Sequence, residues 1–143
     1  MKTLQECYQI AEQQNIPVDH FALSKRSALS IMDDDGSCFI ALDPARIVCE
    51  AEERTILTHE LGHCITGAFY NRHSNYDCRQ RHENRADKWA VKNLISVDAL
   101  DEAVASGCTE LWDLADRFGV TEQFIRKAVC YYVHGNLATE LYF

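Results

Sequence analysis

His59-Glu60-Leu61-Gly62-His63 places two imidazoles four residues apart, with a carboxylate directly after the first. On a helix, positions i and i+4 lie about 40° apart around the axis and one turn apart along it, so both rings can reach one metal ion. Glu60 lies about 100° round from His59, badly placed to be a third ligand but able to reach a water on the ion. Imidazole and carboxylate are acceptable zinc donors, and Zn2+ brings no redox chemistry of its own. The chemistry this set can do is hydrolysis. The ion acidifies a water, and Glu60 takes its proton and passes it to a leaving amine. A chance match on a solvated helix would give the rest of the pattern no reason to be present.

A catalytic zinc needs a third protein ligand and one open position. Glu83 stands twenty residues beyond His63 on the next helical segment, with Asp87 one turn later on the same face. A ligand imidazole needs its other N–H held by an acceptor, and Asp87 is placed to provide one. Glu83-x-x-x-Asp87 resembles the downstream motif of thermolysin-like zincins, the gluzincins, which implies Glu83 as third ligand and Asp87 as the carboxylate orienting a ligand histidine. His82 is the neighbouring rival, but one residue turns it about 100° away from Glu83. The metzincin continuation needs Gly at position 66 and His at 69; this chain has Thr66 and Phe69, which excludes that branch.

The elements that must hold these residues follow from periodicity. Leu57, Leu61, Cys64 and Ala68 form an apolar stripe at helical spacing within a helix expected from about Glu50 to Tyr70, and Glu50, Glu52 and Glu53 crowd its first turn, where the helix dipole favours negative charge. A polar loop over Asn71 to Asp77 precedes a helix expected from about Arg79 to Ile95, where Ala86 and Ala90 would allow close approach to a neighbour. Before the site helix, Ala28–Met32 and Cys38–Leu42 flank Asp33-Asp34-Asp35-Gly36-Ser37, a hairpin pattern with turn residues at its centre. A first helix is expected over Leu4–Gln14, and three shorter ones over Asp98–Ser106, Glu110–Phe118 and Glu122–Tyr132. The fold class expected is α+β and zincin-like, helix-rich with a small sheet, as one domain over residues 1–143. The strand Cys38–Leu42, just before the active helix, is expected to pair with an extended substrate backbone.

Thr55-Ile56-Leu57-Thr58-His59-Glu60-Leu61-Gly62-His63 followed by Glu83-Asn84-Arg85-Ala86-Asp87-Lys88-Trp89-Ala90 resembles the ImmA/IrrE metallopeptidases, found in bacteria and on mobile elements. Trp89 stands where the family usually has Phe, and Leu94-Ile95 where it has two leucines. Asp113 to Thr121 is similar to the family's common C-terminal ending. Ser96-Val97 departs from the usual Met-Pro, which bears on the end of a helix more than on the metal. The resemblance implies a zinc endopeptidase that cuts a helix-turn-helix transcriptional repressor at a specific site.

Composition narrows the alternatives. Of 143 residues 47% are hydrophobic and 25% charged, ordinary for a globular protein, and no apolar run is long enough to span a bilayer. Met1 to Cys7 lacks the apolar run of a secretion signal, so a cytoplasmic protein is expected, without a membrane partner. Seven cysteines, an odd number without any Cys-x-x-Cys pair, are expected to be reduced and mostly buried. With 14 Lys and Arg against 22 Asp and Glu the formal charge is −8, which disfavours direct nucleic-acid binding and suits a basic protein segment. Leu111 to Ile125 has helix-turn-helix spacing, yet Glu110 to Phe143 contains three basic residues against five acidic ones, so a packed helix pair is expected there. The other reading in play is a zinc-dependent binding module with little or no turnover; Glu60 speaks against it, since a structural metal needs no base between its histidines. No oxyanion donor stands out among His73, Tyr76, His82, Tyr131, Tyr132 and His134.

Overall fold

The computed structural model describes residues 2–71 and 73–137. Its elements run α1 (Leu4–Gln13), β1 (Val18–His20), β2 (Ala28–Met32), β3 (Cys38–Leu42), α2 (Glu50–Thr66), α3 (Tyr76–Leu94), α4 (Val97–Ala105), α5 (Leu111–Phe118) and α6 (Glu122–His134). The class is α+β, as expected. Where boundaries differ from the sequence expectation, a local residue decides. Gly67 takes φ 69°, so α2 ends at Thr66 and Phe69 and Tyr70 leave the helix. The Asn75 side chain accepts the Cys78 N–H, so α3 begins at Tyr76, three residues before the expected Arg79.

The hairpin forms with the expected bounds, Ala28 opposite Leu42 and Met32 opposite Cys38. β1 was not anticipated; it lies parallel to β3, with Val18 beside Ile40 and His20 beside Leu42. The sheet order is therefore β1-β3-β2, and β3 is the central strand, with both edges paired. It cannot be the substrate-pairing edge expected of it. The open edges of the sheet are those of β1 and β2. Ile40 N–H donates to Pro17 O and Leu42 O accepts from Phe21 N–H, so those β3 residues turn their backbone groups to β1. Phe39 and Ala41 then face β2 and meet Ile31 and Leu29. By the same alternation, Ala28 and Ser30 carry N–H and C=O groups on the outer edge of β2.

One layer of helices covers the sheet. Leu57 and Leu61 of α2, Ala90, Val91 and Leu94 of α3, and Ile40 and Leu42 of β3 are almost wholly buried together. α2 and α3 come unusually close at Gly62: a Cβ there would sit 2.6 Å from the carbonyl oxygen of Ala86. α5 and α6 pack as a pair through buried Leu114, Phe118, Phe124 and Ile125. Arg54, itself buried, ties that pair to α2 by donating to the carbonyls of Phe118 and Gly119 while bonding Glu50 at 3.1 Å.

The cysteines correct the expectation of reduced thiols. Cys38 of β3 and Cys64 of α2 form a disulfide with Cα atoms 6.0 Å apart. The hairpin carries Cys38 beneath the site helix, a proximity that 26 residues of separation concealed. Of the remaining cysteines, Cys7 and Cys108 are buried and Cys49 is exposed. No helix among the described residues is long and apolar enough to cross a membrane.

Candidate metal centre

α2 presents His59 and His63 one turn apart, and α3 crosses it closely enough at Gly62 and Ala86 to bring Glu83 against both rings. The Nε2 atoms of the histidines are 3.1 Å apart, and Oε2 of Glu83 lies 2.8 Å from that of His59 and 3.3 Å from that of His63. Tetrahedral zinc with bonds of about 2.0–2.2 Å sets its donors roughly 3.3 Å apart. The three atoms thus converge near that spacing, two of the separations being somewhat shorter, and together they form a group that could hold a metal.

What holds the donors is equally specific. His59 Nδ1–H donates to Asp87 Oδ1 at 2.8 Å, and His63 Nδ1–H donates to the carbonyl of Ala68 at 2.5 Å. Both acceptors hold a proton on Nδ1 and turn each Nε2 to the shared point, where it could serve as the metal donor. Lys127 of α6 reaches Asp87 Oδ2 at 3.2 Å. Tyr70 donates to Glu83 Oε1 at 2.6 Å, so that oxygen is occupied and Oε2 is turned to the histidines.

Charges across the site reinforce each other. Burial disfavours a charged His59, but hydrogen bonds to Asp87 and Glu83 outweigh it and push the ring's pKa up to about 10. His63 shifts the same way: burial opposes its charge, and Glu83 with the Ala68 carbonyl prevails. Burial would raise Glu83, yet bonds from His59, His63 and Tyr70 hold it well below the usual carboxylate range. Asp87 is likewise held low against burial, first by His59 and then by Lys127. Burial and then the Glu83 carboxylate push Tyr70 up to about 12, so its phenol remains a donor at neutral pH. The pocket is built to hold positive charge, whether as a proton or as a metal.

Two cavities flank this centre, of about 890 Å³ and 390 Å³, and Glu60 and Glu83 line both. β2 runs past them, with Ser27 and Ala28 on the larger and Leu29 and Ser30 on the smaller. Glu60 thus lines both cavities beside the His59, His63 and Glu83 group, while its neighbours in the motif, Leu61 and Gly62, are buried.

Residues 11–129 match Peptidase_M78, described as the IrrE N-terminal-like domain. The chain belongs to that family. No curated protein matches it. The matched span runs from late α1 through most of α6 and so contains every residue of the metal centre. Membership in Peptidase_M78 brings a zincin-like fold and a metallopeptidase type of function, and His59, His63 and Glu83 form a group that could hold the metal.

The structure brings His59, Glu60, His63, Glu83 and Asp87 together. It sets His82 apart: that ring stacks on Tyr70, centroids 6.3 Å apart, and lies outside the metal group. None of the six residues considered as oxyanion donors lines the described walls of either cavity, and Tyr132 spends its hydroxyl on the Ile95 carbonyl. Sequence reasoning missed Tyr70 and Lys127. Tyr70 had one available signal, Gly67, since a left-handed cap there turns the following residues back over the end of the helix. Lys127 had none, because the meeting of α6 with α3 is a tertiary fact.

Proposed function

We propose that the protein is a zinc-dependent endopeptidase cutting an extended segment of a helix-turn-helix transcriptional repressor, with Glu60 as general base. The observation that carries this is the convergence of the two Nε2 atoms and Glu83 Oε2 beside Glu60, at the point where the outer edge of β2 passes between two cavities. The repressor as target is what resemblance to the ImmA/IrrE metallopeptidases implies. A cytoplasmic location belongs to the same proposal.

His59, His63 and Glu83 would hold the ion, with Asp87, the Ala68 carbonyl and Tyr70 keeping those donors in line. Zinc, when bound, supplies a Lewis acid that acidifies water and polarises the scissile carbonyl. Ala28 and Ser30 would pair with the substrate backbone, fixing the scissile bond over the centre. Glu60 would accept a proton from the attacking water and return it to the amine that leaves. A carboxylate between two metal-holding histidines has no structural task, and this is its chemical one.

Glu60→Gln tests the proposal. It keeps size and helix propensity and leaves the donors untouched, so zinc content and thermal stability should hardly change. Cleavage of the cognate repressor should fall by roughly 10²–10⁴-fold. Loss of intact partner without fragments, equal in cells carrying wild type or Glu60→Gln, would defeat the enzyme and leave the binding module.

A further inference from the structure

Two contacts tie the C-terminal helix pair to the two helices that carry the candidate metal donors. Arg54, five residues before His59 on α2, donates to the carbonyls of Phe118 and Gly119 at the turn between α5 and α6. On α3, Asp87 receives Lys127 of α6, with Nζ 3.2 Å from Oδ2. Buried Phe124, Ile125 and Ala128 seat α6 against the rest of the chain and so hold that lysine in place. The carboxylate it grips is itself buried, its side chain 10% exposed against 37% for Lys127. The other oxygen of Asp87 holds His59 Nδ1 at 2.8 Å. Asp87 therefore stands between a cation on α6 and a candidate metal donor on α2, one oxygen to each. An aspartate's last torsion is broad, so a single bond to His59 leaves the carboxylate plane free to swing. A second bond at Oδ2 removes that freedom.

We propose that Lys127 is a positioning residue of the metal centre: it locks Asp87, Asp87 locks His59, and zinc binding and the seating of α6 are coupled through that chain. This rests on the metal centre of the reading above and holds for a peptidase and for a binding module alike. An ion pair contributes little when both partners are exposed and free to move in water. Here one partner is buried and already committed to a ring, so what the lysine supplies is direction more than attraction. Its charge does not decide the sign, because the Asp87 carboxylate lies between the ammonium and the ring and offsets its field at the donors. The geometric effect remains, and losing it weakens zinc. Losing the direct support of a ligand costs roughly 10–100-fold in metal affinity. Lys127 stands one bond further out and is partly exposed, so a loss of about three- to tenfold is expected. The coupling is reciprocal: zinc steadies α6 by the same factor by which a seated α6 tightens zinc. The α5–α6 pair, with its helix-turn-helix spacing, thereby has an internal task, bracing the metal centre.

The test uses the whole protein and zinc alone, with affinity read by competition against a chromophoric chelator. Lys127→Met keeps the stem and removes the ammonium, and it should weaken zinc about three- to tenfold. Lys127→Arg still donates to Oδ2 and should return the affinity to within about twofold of wild type. Arg126→Met removes the same charge from the neighbouring exposed position and should leave zinc within about twofold, which separates position from overall field. In an Asp87→Asn background the Lys127→Met loss should vanish, since the lysine acts only through that carboxylate. Zinc should also slow hydrogen exchange across α6 in wild type, and less so in Lys127→Met. Undiminished affinity in Lys127→Met, a loss that arginine does not rescue, or an equal loss in Arg126→Met overturns the positioning role. A full loss persisting beside Asp87→Asn, or α6 exchange that ignores zinc, overturns it too. Wild type that takes up no zinc sinks the metal centre itself and the role of Lys127 with it. Zinc bound with the expected pattern but no cleavage of any repressor supports Lys127 and counts against the peptidase alone.

Discussion

Gly62→Ala adds one methyl group where two helices meet. That carbon would lie 2.6 Å from Ala86 O, 3.0 Å from its Cα and 3.1 Å from its carbonyl carbon, all backbone atoms of a helix that cannot rotate away. Restoring ordinary contact at 3.4 Å requires α3 to retreat by about 0.8 Å, since packed interiors have no slack to absorb it. Glu83 and Asp87 flank Ala86 on α3 and would retreat with it. Metal donors tolerate about 0.2 Å, so zinc affinity should fall by roughly 10–100-fold, as it does when a ligand's support is lost. Stability should suffer less: overpacking costs about 1–3 kcal/mol, and replacing Gly by Ala inside a helix returns about 1 kcal/mol. The net loss of roughly 0–2 kcal/mol lowers the metal-free Tm by no more than about 8 °C. Competition with a chromophoric chelator measures the affinity, and a thermal melt after metal removal measures the fold. Zinc binding within about twofold of wild type would refute the idea that this contact sets the site's geometry.

Further expectations concern the donors and their supports. Native protein should carry about one zinc per chain, and His59→Ala, His63→Ala or Glu83→Ala should each abolish tight binding while His82→Ala leaves occupancy largely intact; elemental analysis decides. Asp87→Asn and Tyr70→Phe should each weaken zinc by roughly 10–100-fold with little change in the fold, measured by the same chelator competition. In the metal-free protein both histidines hold their protons above the ordinary pKa of 6.5, so incoming zinc must displace them. Apparent zinc affinity should therefore fall, not rise, as pH drops from 8 to 6, by about tenfold per unit for each proton displaced. An affinity flat across that range would contradict the charge arrangement described for the site.

The parts legible in the sequence were those governed by short-range periodicity. The spacing of His59 and His63, and of Glu83 and Asp87, determines which side chains share a helical face, and two such faces had to meet for either pair to matter. The hairpin was legible because apolar runs bracket an Asp-Gly-rich turn. β1 was not, since Val18-Asp19-His20 is too short to show alternation, and its pairing with β3 comes from α1 returning the chain through Asn15 at φ 57°. Missing β1 also misplaced the open edge: without it β3 looks like a border strand, and with it β3 is central and the borders are β1 and β2. Gly62 read as a filler between the histidines because its role lies in the backbone of α3. The disulfide between Cys38 and Cys64 depends on how the sheet lies under α2, which composition and spacing do not encode.

The outer edge of β2 offers single N–H and C=O groups at Ala28 and Ser30, and a helix has none to give in return, because its own are already bonded. If β2 seats the substrate as proposed, a target segment that is helical in its folded protein must melt before it can be seated. The rate of the proposed cleavage would then be set jointly by the protease and by the target's local opening equilibrium, with each 1.4 kcal/mol of opening cost slowing it about tenfold. A repressor segment costing roughly 4 kcal/mol to open would be cut about a thousand times more slowly than the same residues in an unstructured peptide. Whatever loosens that segment would switch the cutting on without touching the enzyme.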